Sequence, residues 1–457
     1  MTSTGISITS YELKQGAVGF TGSLFQSLSG MGLLLDVGAV LIPVFAIAGE
    51  YAPLSVLLGF LFSILLINTT YLFSRKYSSS GGYIHFISTV FGRRAGKTIG
   101  WLYCVYTFAV LPNIAIFLGM LYIPPLLGQF LPGFHITMAG SIGIMALVIL
   151  TVTVLVMLGI KPTMRFVIVA GITEMALLVS LSIAVWHQTG YAISSKPFWP
   201  AGGSAGAIGG GALFALLLFA GSGSPVMLGE EVTSPLKNIS NSIIASVTAV
   251  GVLLVFAAYV FTIKLGSGTY SVSGSYLPSI AVGAGPLFGT FVSIFVVISA
   301  ISLAVSYMTG LARGVFFMAR NGLMMHPQLG RLGKSRRVPY AAVLIAGLLS
   351  FATAALSTFL LGPYNAFLLL ITTVTAGFVL IHLVANAALM RDMTLKNIGL
   401  LRHFVLPALS CATLVSVLAL TIIPGNWIIL APVVIIGALS ISVLAIASLQ
   451  NKNALPG

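Results

Sequence analysis

Charge is what this sequence lacks most. Only 6% of its 457 residues are charged, and no more than seven are acidic. Soluble domains carry about 25% charged residues. A chain this poor in charge cannot clothe a water-facing surface, which excludes an ordinary soluble enzyme or binding domain. Cysteine is almost missing too. Cys104 and Cys411 both lie in apolar runs, which leaves neither a disulfide framework nor metal-ligand spacing. There is no G-x-x-x-x-G-K-[ST] phosphate loop and no soluble segment long enough to hold one. Nucleotide-driven chemistry by this chain alone is therefore not expected, nor is any cofactor or metal.

What is present is apolar length. The chain is 58% hydrophobic with a mean hydropathy of +1.10. A bilayer span needs about 20 apolar residues. Twelve candidate spans fit, at roughly 18–48, 52–74, 97–127, 136–158, 163–187, 207–230, 241–264, 287–318, 339–361, 365–390, 403–423 and 427–449. The expected class is an all-α polytopic membrane protein. Its first sixteen residues are polar, carry Glu12 and Lys14, and do not read as a cleaved signal peptide.

An even span count puts both termini on one side. With the termini inside, all 21 basic residues except Lys196 and Lys264 fall in inner segments. That bias predicts cytoplasmic termini in a cell membrane. It also assigns the formal charge of +14 to topology and not to nucleic-acid binding. Most of the acids sit at span ends. Asp36 and Glu174 fall well inside spans, where a charge is expensive, so each is a candidate site residue. Neither has an H-x-x-x-H or G-x-S-x-G motif beside it, so no enzyme is expected.

The sixth span is interrupted. Within 214–231 an apolar run meets Gly221, Ser222, Gly223, Ser224 and Pro225. Glycine weakens a helix and proline removes a donor, so the helix should break there. A break inside a bilayer is tolerated where the freed backbone meets protein, water or ligand. In transporters such breaks bind substrate. The first span carries a similar interruption over Ser27, Leu28, Ser29, Gly30, Met31 and Gly32. Matching breaks five spans apart suggest two inverted five-helix repeats.

Three strings now resemble one family. The loop after span two reads SSSGGYIHFISTVFGRRAGKTIGW from Ser78 to Trp101, like the family pattern S-G-G-x-Y…G…G…W. Span six and its exit read GSGSPVMLGEEVTSPLKNISNSI, similar to G-F-E…E-E-x-x-N-P…I-P-x-A-I. Span eight reads TGLARGVFFMARNGLMMHPQLGRL, similar to R-x-x-x-x-M-A-R-D-G-x-x-P. The chain thus resembles the amino acid permease branch of the amino acid–polyamine–organocation superfamily over roughly residues 17–390. The resemblance implies a core of two inverted repeats, about 17–190 and 204–390. A cytoplasmic segment 1–16 precedes it. Two added helices over 391–449 and a tail 450–457 follow. There are departures. The family's G-S-G aligns with Leu28-Ser29-Gly30, its glutamate after G-F becomes Gly223, and its gating aromatic falls near Leu217, with Phe219 or Phe214 as substitutes. A span-five lysine of some members is Glu174 here.

The implied function is secondary transport of an amino acid by alternating access, with lipid, amino acid or related amine, and protons or sodium as partners. Helix-start amides bind anions. The amides of Ser29, Gly30, Met31 and Gly32 are the candidates for the substrate carboxylate. The carbonyls of Phe219, Ala220 and Ser222, with Gly221 and Gly223 giving close approach, are the candidates for its ammonium. Glu174 is the expected proton carrier. Asp36 could pass it the proton, and Ser299 and Ser302 would complete a sodium site if sodium is the coupling ion. With no second acid in span six, the substrate is expected to be neutral, apolar or small. Exchange, sodium-coupled symport, a channel and a transporter-like sensor are the other readings. Tyr106, Pro112 and Asn113 border the expected site.

Overall fold

The computed structural model describes residues 12–131, 133, 135–200, 204–265, 285–324, 326–422, 427 and 430–438. Among these residues ten helical stretches are long and apolar enough to cross a bilayer. The expected first span is not one of them because it is helical in three pieces. These are α1 (Phe20–Met31), α2 (Leu33–Ala39) and α3 (Leu41–Ala48). Gly32 separates the first two with φ 64°, a left-handed conformation that glycine adopts without strain. The expected twelfth span, 427–449, lies mostly outside the described residues, as do residues 1–11 and the tail 450–457.

The chain continues through α4 (Ala52–Lys76) into α5 (Gly82–Phe91). The sequence alone suggests a loop for this second stretch, and the structure shows a helix. Ten residues are too few to cross a bilayer, but Tyr83, Ile84, Phe86 and Ile87 are buried on its inner face. Next comes α6 (Arg93–Ile116), which contains Pro112 and passes through a wider turn at 117–122 into α7 (Ile123–Phe130). Proline and such a turn are ordinary causes of a bend. Then follow α8 (Met138–Met157), α9 (Ile160–Gln188) and α10 (Ala205–Leu216). Beyond the second break lie α11 (Pro235–Leu265), α12 (Pro286–Arg320), α13 (Tyr340–Leu361), α14 (Pro363–Arg391) and α15 (Leu406–Ile422).

Helix α1 is central, packing against α9, α11 and α12. Helices α10 and α11 both lie against α4, and α6 lies against α12 and α14. Helix α15 rests on α14 and α4. Large apolar side chains such as Leu147, Val169, Leu348 and Phe359 are exposed on the outside of this bundle, as a lipid-facing surface requires.

Lipid is as apolar as leucine, so hydrophobic burial alone cannot pull membrane helices together. Here small polar residues join them. The hydroxyls of Ser23 and Ser242 lie 2.7 Å apart, and those of Ser27 and Ser246 lie 2.6 Å apart. Four residues forward on α1 thus match four residues forward on α11, so the two helices run in the same direction. On the other side Gln26 donates to Ser306 Oγ at 2.9 Å and Ser29 pairs with Ser302 at 2.7 Å. That order is reversed, so α12 runs opposite to α1.

Candidate functional site

The two breaks meet back to back. A methyl group added at Gly30 would stand 2.5 Å from the Gly221 carbonyl oxygen. One added at Gly221 would run into the Gly30 carbonyl in turn and come within 2.8 Å of the Tyr307 hydroxyl. Gly221 has φ 86°, so it needs glycine for conformation as well as for contact. Between the end of α10 and Pro235 the backbone forms only short tight turns, Leu217–Phe219 and Ser224–Leu228. The second break is therefore longer than the first.

The structure shifts the first break toward the C-terminus. Ser29, Gly30 and Met31 belong to the last turn of α1, where amides point to carbonyls four residues earlier. Gly32 donates to the Leu28 and Ser29 carbonyls, each at 3.2 Å. The backbone that starts anew is that of α2, at Leu33, Leu34 and Leu35. Leu34 N–H points to Glu174 Oε2 at 3.4 Å, and Leu35 N–H donates to Ser299 Oγ at 3.2 Å. Ser299 itself donates to Glu174 Oε2 at 2.8 Å. Glu174 therefore sits where α2 begins, with α1 and α12 beside it. It is 1% exposed, and its Oε1 has no hydrogen-bond partner among the described residues. Asp36, one turn further along, is half-buried. Ser302 is joined to Ser29 and not to Glu174.

In the second break the expected carbonyls differ in their partners. Ser222 accepts from Ser27 Oγ at 2.6 Å, and Phe219 accepts from the Ser222 amide at 3.3 Å. Ser224 Oγ reaches back to the Gln26 carbonyl at 2.8 Å. Phe219 is fully buried and stacks on Phe60, with ring centroids 5.8 Å apart.

Sequence reasoning missed the cavity next to these breaks. It is lined by Tyr83, Tyr103, Tyr106, Tyr307, Phe378 and His382, together with Gly221, Gly223 and Ser224. Of its aromatic residues, the sequence places Tyr106 alone near the site, beside Gly221 and Gly223. Asn113, also expected there, instead donates to the Phe367 carbonyl at 3.0 Å. The missing tyrosines come from the loop helix α5, from α6 and from α12, and no local spacing in the sequence links those three.

Two ion pairs join the exit of the second break to α12. Arg313 forks onto Glu231, with Nε to Oε2 at 2.7 Å and Nη2 to Oε1 at 3.2 Å. Their side chains are 2% and 1% exposed. The charge count groups Arg313 with the inner basic residues, and the structure shows it buried on α12. Glu230 pairs with Arg320 and accepts from Ser80 N–H and Oγ at 3.1 and 2.7 Å. Burial would raise the Glu230 pKa, but the bonds from Arg320 and Ser80 outweigh it and hold the carboxyl below its ordinary range. The segment before α1 adds a strap. Val18 N–H donates to the Glu231 carbonyl at 3.0 Å and Thr233 N–H to the Val18 carbonyl at 2.8 Å. Leu13 is buried against Phe316 and Leu332.

The family model for amino acid permeases matches residues 22–450. An uncharacterized amino acid permease, YecA, of Bacillus subtilis (strain 168) is 24% identical over 432 residues, which covers 89% of this chain and 91% of that protein. The match takes in both breaks, the span carrying Glu174 and the paired glutamates, so the chain belongs to the amino acid permease family of the amino acid–polyamine–organocation superfamily.

Proposed function

We propose that this permease is a secondary active transporter that carries a neutral amino acid across the cell membrane by proton-coupled alternating access. The reading rests on one observation above all. Two backbone breaks touch through Gly30 and Gly221, and a buried carboxyl with one unpartnered oxygen stands beside them. In this reading the core is two inverted repeats, about 17–190 and 204–390, and the bias of the basic residues supports termini in the cytoplasm.

The backbone around Ser29, Gly30, Met31 and Gly32 and around Phe219, Ala220, Gly221, Ser222 and Gly223 holds the amino and carboxylate groups of the substrate. Ala220 offers a carbonyl for the ammonium. No other described residue donates to it. The substrate carboxylate takes the start of α2, and there it competes with Glu174 for the Leu34 amide. Two carboxylates cannot share that place while both are charged, so a proton on Glu174 favours substrate entry. Asp36 passes the proton from the outer side. Sodium is less favoured, because Ser302 is already engaged with Ser29 and Ser299 with Glu174 and Leu35.

The test is transport in proteoliposomes. Glu174→Gln should abolish accumulation driven by a pH gradient while leaving counterflow of labelled substrate. Accumulation that survives the substitution refutes the proton role. Counterflow without any gradient-driven uptake in the wild type would identify an exchanger. Uptake that follows a sodium gradient alone would move the coupling to Ser299.

A further inference from the structure

The cavity inward of the breaks contains more hydrogen-bonding capacity than the protein uses. Its inner wall is satisfied. His382 Nδ1 lies 2.8 Å from the Phe378 carbonyl, which can only accept, so the neutral ring carries its proton there. Nε2 is then an acceptor, and Tyr83 donates to it at 3.2 Å while accepting from Thr70 at 3.0 Å. Ser306 Oγ and Ser224 Oγ both donate to the Gln26 carbonyl, at 3.1 and 2.8 Å.

The other three phenols have no such partners. Tyr103, Tyr106 and Tyr307 are 4%, 5% and 8% exposed. None of their hydroxyls is hydrogen-bonded to another described residue. Two of them are held against glycines. A methyl group added at Gly310 would stand 2.8 Å from the Tyr103 hydroxyl, and one at Gly221 as close to that of Tyr307. The rings brace one another edge to face. Tyr103 and Tyr106 are 5.4 Å apart at 89°, and Tyr106 and Tyr307 are 6.4 Å apart at 88°. No acidic or cationic side chain lines the cavity.

We infer that this cavity receives the side chain of the transported amino acid and selects a neutral group that hydrogen-bonds, a hydroxyl or a carboxamide, over an aliphatic one. This rests on the amino acid reading above and narrows it, replacing the expectation of an apolar substrate. An aliphatic side chain would exclude water from three hydroxyls and offer them nothing, and buried polar groups left in that state are costly. A site built to bond a substrate hydroxyl or amide rejects the analogue that lacks it far more strongly than an apolar slot rejects a missing methylene. Three phenols, each a donor and an acceptor, match a carboxamide well, since it presents two N–H donors and one oxygen. A charged side chain finds no counter-ion here. A cation would have only the ring faces.

The experiment is a thermal-shift titration of the purified full-length protein in detergent, with the twenty common amino acids, choline and putrescine as probes. A ligand that binds the native state raises Tm by mass action. Serine, threonine, asparagine or glutamine should give the largest shifts, and leucine, isoleucine and valine little or none. Tyr103→Phe, Tyr106→Phe and Tyr307→Phe should each weaken binding of the preferred polar ligand by about two- to tenfold. The three together should reduce or reverse the preference over leucine. The unliganded Tm of each variant checks its fold, and the wild-type ranking needs no variant at all. Leucine, choline or putrescine binding tighter than every polar neutral amino acid overturns the inference, as does a polar preference unchanged in the triple variant. If no amino acid shifts Tm at all, the amino acid reading fails with it.

Discussion

Replacing Glu231 with glutamine should cost about 3–5 kcal/mol of stability. The figure follows from where its partner sits. Arg313 lies on α12 with its side chain 2% exposed, and two of its nitrogens point at the two Glu231 oxygens. The remaining donor it uses, Nη1, reaches the Thr309 carbonyl at 3.2 Å, which carries no full charge. Glutamine keeps the shape but turns one acceptor into a donor aimed at a donor, and it leaves a buried cation unopposed. An exposed pair would lose under about 1 kcal/mol. The contrast with a double apolar replacement is sharper still. Glu231→Leu with Arg313→Met removes both charges, and such replacements are often neutral or stabilising. The double variant should therefore be more stable than Glu231→Gln. Reversible unfolding in mixed detergent micelles would measure each corner of this cycle. A single-variant loss below about 1 kcal/mol, or a double variant worse than Glu231→Gln, would refute the claim that this pair is sealed from water.

Three further outcomes follow from the structure. Gly221→Ala should destabilise the protein by more than the roughly 1–2 kcal/mol of a left-handed alanine, because its methyl also meets the Gly30 carbonyl. Gly143→Ala, with nothing within 4 Å, should leave thermal stability equal or higher in the same assay. The Glu230 carboxyl is held below its ordinary value of 4.5, so its contribution is complete above that pH and is lost as pH falls through the lower folded value. Thermal stability measured from pH 6 down to pH 3 should therefore drop, and Arg320→Gln should flatten that drop. A parallel decline in both proteins would remove Glu230 as its source.

The membrane-spanning character was legible because composition and apolar length are properties of the whole chain. The break in span six was legible because Gly221, Gly223 and Pro225 are local signals. The first break falls at the last residue of the stretch Ser27–Gly32 that the sequence marks, since Ser29 and Gly30 tolerate helix and only Gly32 has to leave it. The pairing of Arg313 with Glu231 was not legible, because charge counting knows position along the chain and not what faces it. The tyrosine cavity was invisible for a related reason. Tyr83, Tyr103 and Tyr307 are far apart in sequence, and each reads alone as an ordinary aromatic of an apolar helix. No hydropathy pattern records that their hydroxyls converge.

The serine pairs tie these pieces together. They show α1 running with α11 and against α12, independently of where any charge lies. The charge count, which places residues 14 and 237 inside and Lys264 outside, demands the same relative directions for the three spans. Two unrelated signals thus agree on how the helices around the first break are oriented. That agreement puts Glu231, Arg313 and the Val18 strap at one end of α1, and α2 with Glu174 at the other. The tyrosine cavity and the touching glycines lie between. Under the carrier reading proposed above, this order supplies an ion-paired end, a polar pocket at the breaks, and a titratable group on the far side of them. It follows that substitutions at the two ends should separate in their effects. Glu231→Gln should alter stability and the opening of the inner end, measured as labelling of an inward-facing cysteine. Glu174→Gln should alter coupling and leave that labelling in place. Identical labelling changes in both variants would mean that the two ends are one site.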